Sequence, residues 1–546
     1  MNAPAPPPRP LPTLDEETGW FWTARAGGRL LIGFCEPCAR WLHPAQTLCP
    51  HCLGEPDHRP VSGRATVLTV TRNDQPWHPA LRPPYIIAIV ALAEDPAVRL
   101  TTNLVGEGAA ALGPGSPVRI RFEQHGSVWL PLFEADADTG SAPPSVTLDP
   151  PVLPPMPAII QPRPEDRVVI SGVGASAMGR SLGRPQTALA VDAALAALAD
   201  AGLERTDIDG ICCYPGSDGM PGLSRGGVRG LEQALGINPV WHSGANEVPG
   251  QIGAVMAAML AVAAGLCRHV LCVTSFAARN PPRALADPDG RVAGEPAFAA
   301  PFGCFSPANW LALYAGAYCH RYQVDPEFLG TIVSASRAQA ARNPLALQRE
   351  PLTLDGYRAS RIISTPLRLA DCDMPCDGAK AVVVSARQTA PDLRGPAVRV
   401  LALGSRMAEP QSWDQGTLTH QPQVFGAAAH MWSRTDLTPD DIDVAMLYDG
   451  FSFNLVSWLE ALGFCAPGEA AAFIGDGSRI GPGGTLPVNT DGGHLSAGRS
   501  NGWGHLIEAV QQLRGDAGAR QVRGARTAVV TTGGAIPAGC CLLQRN

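Results

Sequence analysis

Apolar residues fall into two regimes along this chain. Up to about residue 135 they form short runs bounded by glycine and proline, at 65–71, 85–92, 98–104, 118–123 and 128–133. Five such runs with turn residues between them predict a small five-stranded barrel of the OB type. A short helix is expected before it, at 20–29. From residue 166 the rhythm changes. Strand-like runs at 167–172, 210–214 and 269–274 alternate with helical patterns at 187–201 and in the apolar stretch ending at Gly265. That βαβα alternation predicts an α/β unit with a largely parallel sheet. Between the regimes, residues 136–165 are rich in Pro, Ala and Asp and read as an extended, semi-rigid linker.

The second regime repeats itself. Leu203-Glu-Arg-Thr-Asp-Ile-Asp-Gly-Ile211 is echoed by Leu437-Thr-Pro-Asp-Asp-Ile-Asp-Val-Ala445, each just before a strand-like run. In each half a helix stopped by glycine, Gly265 or Gly515, leads toward an apolar strand. A duplicated α/β unit dividing near residue 395 follows. The expected organisation is therefore 1–58 (helix and cysteine-rich ribbon), 59–136 (barrel), 137–165 (linker), 166–395 and 396–546 (the two halves).

Composition narrows the class. With 45% apolar and 17% charged residues in 546, the chain is globular and too long for one core. Its net charge is −7, and residues 1–135 carry 11 arginines against 12 carboxylates, so the barrel has no nucleic-acid footprint. The uncharged apolar stretch 248–267 is mostly Ala and Gly with two leucines, and reads as a buried helix rather than a membrane span. The N-terminus lacks an apolar signal core, so a cytoplasmic location with reduced thiols is expected. Only one lysine is present, Lys380.

Cys35-Glu-Pro-Cys38 and Cys49-Pro-His-Cys52 are two C-x2-C knuckles ten residues apart. Four thiolates so spaced converge on one structural zinc, and four sulfur ligands leave no open position for catalysis.

The ribbon, with PPYIIAIVAL, LTTNLVGEG and WLPLFEAD after it, resembles the DUF35 family of acyl-CoA-associated zinc-ribbon/OB proteins. The duplication, with ASRIISTPLRLADCDMPCDGAKAVVV (359–384), YDGFSF (448–453) and LPVNTDGGHLSAG (486–498), resembles the thiolase superfamily, in its lipid-transfer, sterol-carrier-thiolase branch. The resemblance implies a duplicated thiolase fold behind the ribbon and barrel. It also implies a nucleophilic cysteine at the N-terminus of the buried helix, where the helix dipole favours a thiolate. Family spacing puts that position at Val248, in Val248-Pro-Gly250, and no cysteine occurs between Cys213 and Cys267. Cys212, Cys213, Cys267 and Cys272 read as packing residues. The family's second cysteine corresponds to Thr531, its Gly-His-Pro histidine to Arg499, and the start of its Asn-Glu-Ala-Phe motif to Tyr448.

What replaces that machinery is polar. Tyr448 and Asp449 end an apolar strand-like run, and the glycine-rich loop brings His494, Arg499 and Asn501. Beside Arg499 the phenol is expected to have a lowered pKa and to shuttle protons. The resemblance implies catalytic roles for Tyr448, Asp449, Arg499 and His494. It implies substrate contacts at Val248, Gly250, Asn501, Gly533 and Gly534. Lys380 lies in a strand-like run away from these motifs, which argues against a Schiff base.

Some cysteine-free relatives in this branch are retro-aldolases of steroid side-chain breakdown that work with a DUF35 partner. They carry tyrosine where this chain has Arg499. The expected function is cleavage of a bulky β-hydroxyacyl-CoA to a ketone or aldehyde and a short acyl-CoA. CoA would enter as part of the substrate. The alternatives are cysteine-independent acyl transfer or condensation, and a non-catalytic acyl-CoA or lipid scaffold. A homodimer through the thiolase-like part and a complex with a hydratase are the partners expected.

Overall fold

The computed structural model describes residues 9–24, 29–137, 150, 152–153, 156, 161–216, 218–219, 222–244, 252–278, 290–410, 412–533 and 538–546. The positions expected at Val248, Gly250 and Gly534 lie outside them, as does most of the expected linker.

Nine strands form the main sheet. In spatial order they are Trp241–Gly244, Gly210–Cys213, His269–Phe276, Gly378–Ala386, Val168–Ala175, Val398–Gly404, Ala538–Arg545, Thr527–Gly533 and Val444–Met446. The first five belong to one half and the last four to the other. The halves meet in antiparallel register where Val169 pairs with Arg399 and Ile170 with Val398. The sheet is mixed rather than largely parallel, because the last strand of each half, Gly378–Ala386 or Ala538–Arg545, runs antiparallel to both its neighbours. In chain order the first half runs 3-2-4-5-1, and the second half repeats this with the third strand missing.

The sequence echo has a physical counterpart in each half. Each repeat forms a 3-10 turn in which an aspartate accepts a backbone N–H three residues back, Asp207 from Glu204 and Asp441 from Thr438, both at 2.8 Å. Two residues on, Asp209 accepts the N–H groups of Arg268 and His269, and Asp443 those of Arg526 and Thr527. A carboxylate thus fixes the start of the neighbouring strand in both halves.

The apolar helix Gly253–Ala263 and the helix Trp503–Arg514 lie in one core with residues from both halves of the sheet, among them Ile170, Val382, Val444 and Val530. Leu260 and Leu266, at the outer end of the apolar stretch, are nevertheless more than half exposed. On the opposite face Gln186–Ala201 packs so tightly that a Cβ on Gly172 would sit 2.3 Å from the Ala197 carbonyl. Gly404 meets the Ala427 carbonyl in the same way in the second half. Cys212, Cys213, Cys267 and Cys272 are buried packing residues.

The five barrel strands are Arg64–Asn73, Tyr85–Leu92, Arg99–Asn103, Pro117–His125 and Val128–Ala135. The fourth pairs with the first and fifth, and a Leu104–Phe133 bridge closes the ring. The N-terminal helix is shorter than expected, Gly19–Thr23; residues 25–28 lie outside the description. Barrel and α/β unit share one core, in which Leu68, Ile87 and Ile89 pack with Leu311, Tyr314 and Tyr318. They also share a sheet, because Asn73 pairs with Ser364 of the strand Ile362–Ser364. Asn309 ties the seam, donating to Asn73 Oδ1 at 3.0 Å and Ser364 Oγ at 3.2 Å. Among the described residues no helix is long and apolar enough to cross a membrane.

Candidate active site

The strand Val444–Met446 stops two residues before Tyr448, earlier than the apolar pattern suggests. Asn489 replaces the missing ladder. Its amide accepts from Leu447 N–H at 2.7 Å and donates to Leu447 O at 2.8 Å. On the other side the Thr531 hydroxyl accepts from Tyr448 N–H at 2.8 Å. The residue in the family's second cysteine position therefore seats the tyrosine. The Tyr448 ring lies over the backbone of Gly450, where a Cβ would come within 2.9 Å of the phenol oxygen.

Asp449 turns inward and does not face solvent. Oδ1 accepts from His494 N–H at 2.8 Å, and Oδ2 from Leu495 N–H at 3.4 Å, in the first turn of the helix Gly493–Ser496. Gly493 makes this possible. Its φ is +59°, and a Cβ there would lie 2.1 Å from Asp449 Oδ2. Asp449 Oδ1 also meets His505 Nε2 at 3.1 Å. Asp449 is thus placed as the buried support of the site rather than as a group on its surface.

Two histidines stack beneath the tyrosine. The His494 and His505 ring centroids are 4.5 Å apart at 16°, and Tyr448 meets His494 edge-on at 5.1 Å. His494 Nε2 accepts from Gly502 N–H at 3.0 Å, which assigns its proton to Nδ1. That Nδ1 is buried without a hydrogen-bond partner among the described residues. Burial, with repulsion from His505, pushes the His494 pKa down to about 3, so the ring is neutral. Burial acts the same way on His505, but the hydrogen bond and charge of Asp449 outweigh it and raise its pKa. Asp449 therefore favours the protonated form of His505.

These three side chains offer ligand atoms within 4.8 Å of one another. Stacked rings, however, aim their in-plane lone pairs side by side, whereas zinc needs them to converge at about 2.0–2.1 Å. The group fits proton storage better than a metal.

Arg499 is clamped to a carboxylate. Nε and Nη2 donate to the two Asp373 oxygens at 2.6 and 2.5 Å, and its N–H donates to Met374 O at 2.8 Å. The expected effect on Tyr448 is reversed. Burial, reinforced by the negative charge of Asp373, pushes the phenol above its ordinary value, and Arg499 only partly offsets this. Tyr448 holds its proton. Asn501, at φ +51°, has a buried Nδ2 without a partner among the described residues. Gly533 ends a strand, and its carbonyl accepts from Trp458 Nε1 at 2.9 Å, so that oxygen belongs to packing.

Lys380 lies nearer than its sequence context suggests. Its charge acts on Cys376, Asp491 and His494, and burial lowers its own pKa. Thiols also stand beside the site. Cys376 donates to Arg499 O at 3.3 Å, and burial pushes its pKa up to about 12, so it is no thiolate. Sequence reasoning missed Asp373, Asn489 and His505. His505 has the appearance of a helix residue on an apolar face, and only the fold stacks it under His494.

In the N-terminal ribbon the four knuckle cysteines converge. Cys35 and Cys52 Sγ lie 3.4 Å apart, Cys38 and Cys49 Sγ 3.9 Å, and all four within 4.8 Å. Four Zn–S bonds of about 2.3 Å require sulfur separations of roughly 3.7–3.8 Å, so the donor set fits.

Comparison with known proteins gives the family. Residues 404–542 match the thiolase C-terminal domain-like family, and 58–123 match the C-terminal OB-fold domain of ChsH2. The chain is 33% identical over 385 residues to a steroid side-chain-cleaving aldolase of Thermomonospora curvata, covering 68% of this chain and 97% of that protein. It is also 33% identical, over 69% of itself and 99% of the relative, to a 17-hydroxy-3-oxo-4-pregnene-20-carboxyl-CoA lyase of Mycobacterium tuberculosis. The chain belongs to this aldolase family. As a member it is a carbon–carbon lyase of CoA thioesters and not a classical thiolase, as the absent nucleophile requires. Among solved structures, an Ltp2-ChsH2(DUF35) aldolase aligns with a TM-score of 0.62 at 32% identity over 69% of this chain and 98% of its own. A monomeric SCP2-thiolase-like protein of Mycobacterium smegmatis, at 17% identity and a TM-score of 0.52, shares the fold. In the aldolase described here, DUF35-type barrel and thiolase-type unit are one polypeptide.

Proposed function

We propose that this aldolase cleaves a bulky, steroid-derived β-hydroxyacyl-CoA into a ketone and a short acyl-CoA, with Tyr448 as the proton-transfer group. The observation that supports this reading is Tyr448 within reach of the Arg499–Asp373 pair, with inert thiols nearby and, in the same loop as Arg499, an Asn501 amide buried without a partner among the described residues. In the reaction the β-hydroxyl loses its proton and the Cα–Cβ bond breaks. The electron pair moves into the thioester as an enolate, and Cα takes up a proton to give the short acyl-CoA. Asn501 Nδ2 supplies a donor for the enolate oxygen. A neutral phenol fits as a relay: its proton goes to Cα as the β-hydroxyl proton replaces it, so Tyr448 begins and ends protonated.

The test is incubation of the protein with steroid and aliphatic tertiary β-hydroxyacyl-CoAs, followed by mass spectrometry. Release of a short acyl-CoA and the matching ketone, without any added acyl acceptor, is expected. No cleavage across both series would end this reading, and dependence on an acceptor would move it to acyl transfer.

Zinc, one ion per chain, is proposed at Cys35, Cys38, Cys49 and Cys52, where it would cross-link the ribbon without touching the chemistry. A homodimer is proposed through Trp241–Gly244, an edge strand of the sheet among the described residues, supported by Val240, Leu260 and Leu266 at 77, 54 and 58% exposure. Sedimentation at twice the chain mass is the expected result.

A further inference from the structure

A cleft of about 560 Å³ is lined in part by segment 372–375. The same segment is tied to the backbone beside Tyr448. Asp373 N–H donates to Gly450 O at 3.0 Å, and Met374 N–H to His494 O at 3.1 Å. Three arginines line the cleft, Arg180, Arg337 and Arg361, with Asp373 as its carboxylate. Asp373 is already neutralised by Arg499, so the lining carries about three uncompensated positive charges in a chain whose net charge is −7.

None of the three arginines has an ion-pair partner among the described residues. Arg180 reaches only Met374 Sδ, at 3.2 Å, and Arg361 is held by the side-chain oxygen of Gln75, from the barrel. Arg337 lies deepest. Its Nε is buried with no hydrogen-bond partner among the described residues, and burial lowers its pKa with no carboxylate to oppose the shift. A buried, unpartnered guanidinium donor is costly unless an anion completes it. Guanidinium forks match phosphate oxygens better than any other common anion except carboxylate.

We propose that this cleft binds the phosphates of the CoA thioester, with Arg337 at its base, Arg180 and Arg361 at its rim, and Gln75 of the barrel positioning Arg361. The inference rests on the acyl-CoA reading above and adds to it the residues that hold the nucleotide end. It also gives the barrel a part in substrate binding, reached across the seam at Asn73 and Ser364. The acyl end would then extend along segment 372–375 toward Tyr448.

The test compares a CoA thioester with the same acyl group on pantetheine, which lacks the nucleotide phosphates. In Arg337→Met and Arg361→Met the ratio of kcat/KM for the CoA thioester to that for the pantetheine thioester should fall roughly 10- to 100-fold, the range for a charge-assisted contact. Gln75→Ala should move the ratio the same way by less. Equal losses on both substrates, or no loss on either, would overturn the proposal. If the wild-type protein cleaves neither thioester, the lyase reading has failed, and calorimetry with CoA alone decides the cleft. Weaker CoA binding in both arginine variants, with Arg387→Met as wild type, sustains it, and equal CoA binding refutes it. Competition by inorganic phosphate as strong as by adenosine 3′,5′-bisphosphate would show a simple anion site instead, and would also refute it.

Discussion

Tyr448 illustrates how little a neighbour's charge decides once a group is buried. An arginine beside a phenol should lower its pKa, yet Arg499 is spoken for by Asp373, and burial controls the net shift. The phenol is therefore a proton carrier in its neutral form. Tyr448→Phe keeps the ring over Gly450 and removes only the oxygen, so kcat should fall by roughly 10²–10⁴-fold with the thermal midpoint nearly unchanged. Wild-type turnover in that variant would transfer the role to another group.

The stacked histidines make opposite contributions to pH dependence. The His494 pKa is lower in the folded chain, about 3 against an ordinary 6.5, so its contribution is present above the unfolded value and lost as pH falls. The His505 pKa is raised, so its contribution is complete below the unfolded value and lost as pH rises through the folded one. Urea midpoints should drop between about pH 7 and about pH 5, and His494→Gln should lessen that drop. Other buried histidines with lowered pKa values, such as His43, keep it from vanishing. An unchanged slope in the variant would mean that His494 is not sealed from water.

At the scale of elements, the site depends on one short helix and the glycine that begins it. Gly493 holds a left-handed φ directly against the Asp449 carboxylate, which caps the Gly493–Ser496 turn. Gly493→Ala should cost about 1–3 kcal/mol for the backbone alone. The displaced carboxylate would also release His505 and unseat Tyr448. Thermal unfolding and turnover should both suffer, in contrast to Tyr448→Phe. A fully stable Gly493→Ala protein with normal activity would separate Asp449 from the site. The element that sequence periodicity misplaced, the strand end at 447–449, differs for a physical reason. Its hydrogen bonds come from the side chains of Asn489 and Thr531 rather than from a neighbouring strand.

For the whole molecule, barrel and α/β unit are joined by a common core and a shared sheet, so the ribbon is attached to a barrel that cannot leave easily. Elemental analysis should find one zinc per chain. Cys35→Ser should lose it and lower the stability of the ribbon and barrel. Turnover of a pantetheine thioester should persist wherever the barrel stays docked. Iron, or no metal in folded protein, would contradict the assignment.

The sequence by itself determined the two halves, the five barrel strands and the converging cysteines. Each of these is encoded locally, by periodicity, by turn residues or by ligand spacing. It also supplied Tyr448, Asp449, His494, Arg499 and Asn501 as a set, because the thiolase resemblance placed them together. Only the tertiary structure decided their roles. Asp373 stands 126 residues from the arginine it neutralises, and His505 lies 56 from the carboxylate that raises its pKa. Proton affinity in a buried site depends on which groups the fold brings within a few ångströms and on how much water it excludes. Neither quantity is written in the spacing of residues along the chain.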